Sequence, residues 1–191
     1  MAIDLEMLRE QVRVCRLCRL CEKATNAVFG EGNIHAEIMF IGEAPGQAED
    51  LQGKPFVGAA GKFLNQMLEI IGLKREDVFI TNVVKHRPPE NRDPLPDEIE
   101  TCFPYLREQV LTIKPKIIVT LGRYAMNIFL PGFKISEIHG QAKRAKGLLG
   151  EAQVYFPLYH PASALYNPGL RETLINDMKK IPLLLKKINL N

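Results

Sequence analysis

The chain has no tryptophan, and only four of its 191 residues are cysteine and four are histidine. It has no apolar run approaching the roughly 18 residues that a bilayer-crossing helix needs. Its first residues, Met1-Ala2-Ile3-Asp4-Leu5-Glu6, lack the charged-then-apolar layout of a secretory signal. A cytoplasmic protein is the expectation, and in that compartment cysteines do not serve as disulfides. A dominant charge sign is missing too. Twenty-five basic and 22 acidic residues leave a formal charge of +3, which permits a polyanionic partner without demanding one. Repeats and long linkers are absent. With 46% hydrophobic and 25% charged residues, the chain suits one domain over residues 1–191 with its own core.

What is present is a set of short polar motifs, each directly after an apolar run. Ile38-Met39-Phe40-Ile41 runs into Gly42-Glu43-Ala44-Pro45-Gly46-Gln47. Val78-Phe79-Ile80 runs into Thr81-Asn82, and Val154 to Tyr159 runs into His160-Pro161-Ala162-Ser163. Such runs read as buried strands reaching their carboxyl ends. In open α/β sheets ligands bind in the crevice outside those ends. A carboxylate, an amide and an imidazole would then converge on one site.

Strands are predicted at about 37–42, 77–84, 116–121 and 154–159. Helices are predicted at about 5–20, 58–71, 97–112, 122–130 and 170–187. Arg87 to Pro96 carries four prolines and reads as a loop, and 133–153 as a loop or hairpin. The alternation argues for a three-layer α/β/α sandwich around a four-stranded parallel sheet.

Cys15, Cys18 and Cys21 stand at consecutive C-x2-C spacings, with Cys102 far away in sequence. Isolated thiols often pack as small hydrophobes. This spacing points instead to zinc or an iron–sulfur cluster, and does not choose between them.

Together these segments resemble the family-4 uracil-DNA glycosylases, the iron–sulfur branch of the uracil-DNA glycosylase superfamily. The resemblance runs through Cys15-x2-Cys18, Val28-Phe29-Gly30-Glu31-Gly32, Gly42-Glu43-Ala44-Pro45-Gly46 and Gly53-Lys54-Pro55-Phe56-Val57-Gly58. It continues through Thr81-Asn82-Val83-Val84-Lys85, Arg87-Pro88-Pro89 and His160-Pro161-Ala162-Ser163. It implies a 4Fe–4S cluster bound by an N-terminal segment, and a DNA-repair monomer that acts on uracil-containing DNA and meets the nucleoid through it. One position departs from the family pattern: His86 stands where a third cysteine ligand is usual. Two ligand sets therefore compete, Cys15, Cys18, His86 and Cys102 against Cys15, Cys18, Cys21 and Cys102. Motif position favours His86, since imidazole can replace thiolate on iron. A covalently trapping branch also has His at that point, but adds a basic loop that this chain lacks, so turnover is expected.

The resemblance also implies roles. The target base must be extruded before its glycosidic bond can be reached. Phe56 would stack on it, and Asn82 would read its Watson–Crick edge. His160 would donate to the oxygen that gathers charge as the bond breaks. Glu43 would position or activate water; Ala44 stands where a better-studied branch has Asp, so leaving-group stabilisation should dominate. Glu49 would stand near uracil C5 and exclude a methyl group. Gly42, Ala44, Gln47 and Ser163 would border the base and its flanking phosphates. Leu165, Tyr166 and Arg171 are candidates to fill the vacated stack. Taken alone, Asn82 would also fit a strand-end cap, and His35 and His139 read as turn histidines. Two rivals remain: a cluster-bearing DNA-binding or redox-sensing protein with little hydrolysis, and a superfamily glycosylase with another base preference.

Overall fold

The structure, a computed structural model, describes residues 4–148 and 150–190. The outermost ends of the expected domain and Leu149 lie outside the described residues. Four strands run parallel: β2 (Ile38–Gly42), β3 (Phe79–Asn82), β4 (Ile117–Leu121) and β6 (Ala152–Leu158). Two short antiparallel strands, β1 (Glu31–Gly32) and β5 (Lys143–Lys146), extend the edges, giving the order β1-β3-β2-β4-β6-β5.

The parallel strands are continuous apolar runs because both faces are covered. Period-two alternation divides their side chains between two cores. Met39, Ile41, Phe79, Ile118 and Tyr155 face one core, together with Leu8 and Val12 of α1 (Leu5–Arg13) and Leu106 and Val110 of α4 (Pro96–Ile113). Ile38, Phe40, Ile80, Val119 and Phe156 face the other. There they meet Phe63 and Met67 of α3 (Ala59–Ile70), Leu174 of α7 (Pro168–Met178) and Ile181 of α8 (Ile181–Asn189). The three layers match the sequence expectation. The helices α2 (Gln47–Gln52), α5 (Arg123–Phe129) and α6 (Ile135–Ile138) complete the chain.

Some boundaries differ. The first helix stops at Arg13 rather than Leu20. After Val12 the buried face would continue through Cys15, Arg16 and Arg19, two of them charged, so no apolar stripe continues it. Leu20 is instead buried by a 3₁₀ turn at Arg19–Glu22. The long C-terminal helix is two helices, the second beginning at Ile181 with Pro182 in its first turn, where the missing amide costs no helical bond. The 133–153 stretch holds α6, and β5 forms a hairpin with β6. Among the described residues, no helix is long and apolar enough to cross a membrane.

The chain leaves β2 for β3 on one side, then crosses to β4 on the other. The strand order thus reverses at β2, and the carboxyl ends of β2 and β3 deliver Gly42 and Asn82 side by side in register. Crevices at such reversals are where open sheets bind ligands.

Candidate active site

A cavity of about 290 Å³ opens at that end of the sheet. Glu43, Ala44, Glu49, Phe56, Asn82 and His160 line it, from four separate segments of the chain. Gly42, Gln47 and Ser163 do not line it. Gly42 lies beneath Asn82 and Phe56, Gln47 is exposed at the start of α2, and the Ser163 hydroxyl donates to the His160 carbonyl at 2.6 Å.

Asn82 is 1% exposed, yet neither its amide nitrogen nor its oxygen has a hydrogen-bond partner among the described residues. Leaving a buried polar group unpaired typically costs about 1–3 kcal/mol. This carboxamide is held unpaired at the wall of a cavity, so a ligand offering one acceptor and one donor would satisfy both atoms.

His160 follows β6 and caps the 3₁₀ turn Pro161–Leu165, its Nδ1 accepting from the Ala162 amide at 3.2 Å. The neutral ring therefore carries its proton on Nε2. Burial lowers its pKa to about 4, and the nearby Glu49 carboxylate only partly opposes this. At neutral pH the imidazole is an uncharged donor. Its ring centroid lies 5.7 Å from that of Phe56.

Burial raises the pKa of Glu43 to about 7; Asp93 adds to the shift and Arg123 opposes it. A half-protonated carboxylate at neutral pH is suited to proton transfer. Glu49 accepts on Oε1 from the amides of Val57 and Gly58 at 2.8 and 2.9 Å, so it braces the Phe56 loop while lining the cavity.

Pro88, Asn91 and Arg92 also line the cavity; in sequence Pro88 belongs to the Arg87-Pro88-Pro89 motif, while Asn91 and Arg92 read only as loop. Arg92 is fixed by a two-point pair with the fully buried Glu98, at 2.8 and 2.6 Å. The four prolines marked the loop, but nothing local says that it folds over the strand ends. Of the three candidates to fill a vacated stack, Leu165 and Tyr166 are 39% and 90% exposed. Arg171 instead lies 4.2 Å over the Phe63 ring and donates to Gln66 at 2.8 Å, fastening α7 to α3.

The four thiols and His86 lie away from this cavity. Burial raises the Cys102 pKa to about 11, and Cys18 and Cys15 add to the shift, so these three share a neighbourhood. Cys102 Sγ accepts the Lys85 amide at 3.2 Å. His86 is 6% exposed, makes no side-chain hydrogen bond among the described residues, and has its pKa lowered chiefly by burial. Cys21 is buried too, and its charge bears on Cys18. Among the described residues no three His, Cys, Asp or Glu side chains surround a point where a single metal ion would sit.

A sequence model of the uracil DNA glycosylase superfamily matches residues 29–181, which span the whole cavity. The chain belongs to that superfamily. A type-4 uracil-DNA glycosylase of Sulfurisphaera tokodaii is 54% identical over 183 residues, 93% of this chain and 83% of the relative. Another of Archaeoglobus fulgidus is 49% identical over 182 residues, covering 93% and 91%. A type-5 uracil-DNA glycosylase of Pyrobaculum aerophilum is more distant, 31% identical over 160 residues, covering 72% and 66%. Within the superfamily the chain stands with the type-4 enzymes.

Proposed function

We propose that this protein flips uracil out of DNA and hydrolyses its N-glycosidic bond, leaving an abasic site, with residues 1–191 acting as one monomeric domain in the cytoplasm, at the nucleoid. The observation that carries the reading is the unpartnered Asn82 carboxamide in a cavity that also presents Phe56 and His160. Uracil offers an acceptor at O4 and a donor at N3, which pair with Nδ2–H and Oδ1. Cytosine offers the reverse pattern and would leave both buried atoms unpaired, the kind of mismatch that discriminates strongly. That His160 joins Asn82 and Phe56 in the same cavity also argues against a binding or sensing protein, which does not need all three together.

As the bond from C1′ to N1 breaks, its electron pair moves onto the base and collects at O2. The Nε2–H of neutral His160 donates to that oxygen and is worth more in the transition state than in the ground state. Water adds to C1′, and ionised Glu43 orients it and takes its proton. The amides of Ala44, Gly46 and Gln47, with the Ser163 and Gln47 side chains, contact the flanking phosphates. Glu49 stands where a methyl group on the base would have to fit.

We assign a 4Fe–4S cluster to Cys15, Cys18, His86 and Cys102. Cys102 feels Cys18 and Cys15, Cys18 feels Cys15, and His86, with no side-chain hydrogen bond among the described residues, follows the Lys85 whose amide Cys102 accepts; three thiols and a neutral imidazole make a fitting donor set. The cluster would supply a cross-link between the N-terminal segment, the loop after β3 and α4.

The direct test uses matched oligonucleotides carrying U·G, U·A, T·G or no lesion, followed by alkali. Breaks confined to uracil, and reduced by ~100- to 1000-fold in His160→Ala, are the expected result. Equal cleavage by both proteins would sink the assignment of His160, and no cleavage by an iron-replete protein would sink the enzyme.

A further inference from the structure

Residues 55–58 are gripped from both sides by side chains of opposite charge. Arg75 donates from Nη2 to the Pro55 carbonyl at 2.7 Å and from Nη1 to the Phe56 carbonyl at 3.1 Å. Glu49 accepts the amides of Val57 and Gly58. The peptide between Phe56 and Val57 is thus fixed at its oxygen by a cation and at its nitrogen by an anion.

The grip has something to hold. Phe56 has φ of +51°, a left-handed conformation uncommon for a bulky residue. Such residues persist only where the surroundings over-determine them. Gly61 closes the arrangement from α3, since a Cβ there would overlap the Phe56 carbonyl. The guanidinium is itself anchored. Nη1 also donates to Asn65 at 3.1 Å, and Nη2 pairs at 3.4 Å with Glu31, which pairs with Lys54 at 3.2 Å. Arg75 is a quarter exposed and does not line the cavity.

We propose that Arg75 is a positioning residue for base recognition. Its fork holds the Pro55 and Phe56 carbonyls so that the Phe56 ring stays against Gly42 and Asn82, ready to lie under the base, with Glu49 as the opposing jaw. The inference rests on Phe56 being the shelf for the base. Without the fork, Phe56 relaxes toward negative φ and the shelf must be rebuilt at each binding event, a cost that pre-organisation removes. Lysine cannot replace the fork, because one ammonium does not match two adjacent carbonyls as a planar guanidinium does.

Arg75→Met, Arg75→Lys and Phe56→Leu separate these ideas. Four quantities are measured for each: KM and kcat on a single-stranded uracil oligonucleotide, the inhibition constant of free uracil, and affinity for an oligonucleotide carrying an abasic site. Arg75→Met is expected to raise KM and the uracil inhibition constant by roughly tenfold, the scale of one base–aromatic stack. The value of kcat moves little, because stacking is shared by ground and transition states. Affinity for the abasic site, which has no base to stack, stays unchanged, and Arg75→Lys falls between. Unchanged uracil inhibition in both Arg75 variants, or an equal loss of affinity for the abasic site, overturns the proposal. If Arg75→Met does not fold, Arg75→Lys decides alone by the same criteria. Phe56→Leu tests the footing. If it leaves uracil inhibition unchanged, the shelf itself is wrong. If it weakens inhibition while the Arg75 variants do not, only the positioning role fails.

Discussion

Gly42 and Asn82 are partners in the β2–β3 ladder, and Gly42 leaves open the space that the Asn82 carboxamide occupies. A Cβ on Gly42 would fall 2.6 Å from the tip of the Phe56 ring and nearer still to Asn82 Oδ1. The glycine is there for close approach, because its backbone is not left-handed.

Gly42→Ala is therefore expected to displace Asn82 and Phe56 together. Misplacement of about 1 Å in a catalytic arrangement can cost ~100-fold, so kcat/KM should fall by about that factor. The fold should lose only the ~1–3 kcal/mol typical of overpacking. Kinetics beside a denaturant titration check both. A loss of stability without loss of rate would mean that the two side chains do not act where they stand.

The cavity is under-satisfied, and this predicts opposite movements of stability and activity. Asn82→Leu removes two unpaired buried atoms and should raise unfolding stability by about 1–3 kcal/mol, while uracil excision is lost. Thr120 Oγ1 is also buried without a partner among the described residues, but Thr120 does not line the cavity. Thr120→Val should therefore stabilise by about 1 kcal/mol and leave excision unchanged. Thermal midpoints with and without free uracil sharpen the contrast, since uracil can stabilise only a chain that binds it.

Glu43 and His160 are shifted in directions that separate their pH signatures. With Glu43 raised to about 7 and His160 lowered to about 4, the ring is neutral throughout the working range. The rate should rise with pH through about 7 as Glu43 ionises, and fall away only toward pH 4 on account of His160. Glu43→Gln should flatten the limb near 7, at a loss toward the low end of the ~10²–10⁴ typical of a general base. Stability moves the other way. Between 4.5, the ordinary value, and about 7 the folded chain keeps a proton on Glu43 that the unfolded chain releases. Its contribution to stability therefore declines with rising pH across that window and is level above it. Loss of this slope in Glu43→Gln, read from denaturant midpoints against pH, checks the assignment.

The parts of this molecule that were legible in sequence are those where burial is two-sided or chemistry sits at a strand end. Met39 to Ile41 and Ile117 to Val119 announced β2 and β4 because both faces of each strand are covered. Glu43, Asn82 and His160 were legible because each directly follows such a run. The edge strands were less so: Glu31–Gly32 is too short for a pattern, and Lys143 to Lys146 read only as part of a loop or hairpin, because it is a charged edge whose pairing depends on β6. Arg75 was invisible for a different reason. The groups it holds are backbone carbonyls 19 and 20 residues away, and backbone acceptors leave no mark in a sequence.

The ligand set of the proposed cluster makes the last prediction. His86 and Cys21 are both buried, so burial does not choose between them, but their surroundings differ. Burial chiefly raises the Cys102 thiol, Cys18 and Cys15 add to the shift and Cys21 does not, and Cys102 accepts the amide of Lys85, the neighbour of His86, whose ring makes no side-chain hydrogen bond among the described residues. Cys21→Ala should therefore retain iron and its visible absorbance, while His86→Ala and Cys102→Ala lose them. His86→Cys should retain iron and lower the reduction potential, because a thiolate adds one negative charge where imidazole adds none. Iron content and a potentiometric titration read both effects. Loss of iron in Cys21→Ala with retention in His86→Ala would invert the assignment, leaving His86 as a buried imidazole without a ligand role.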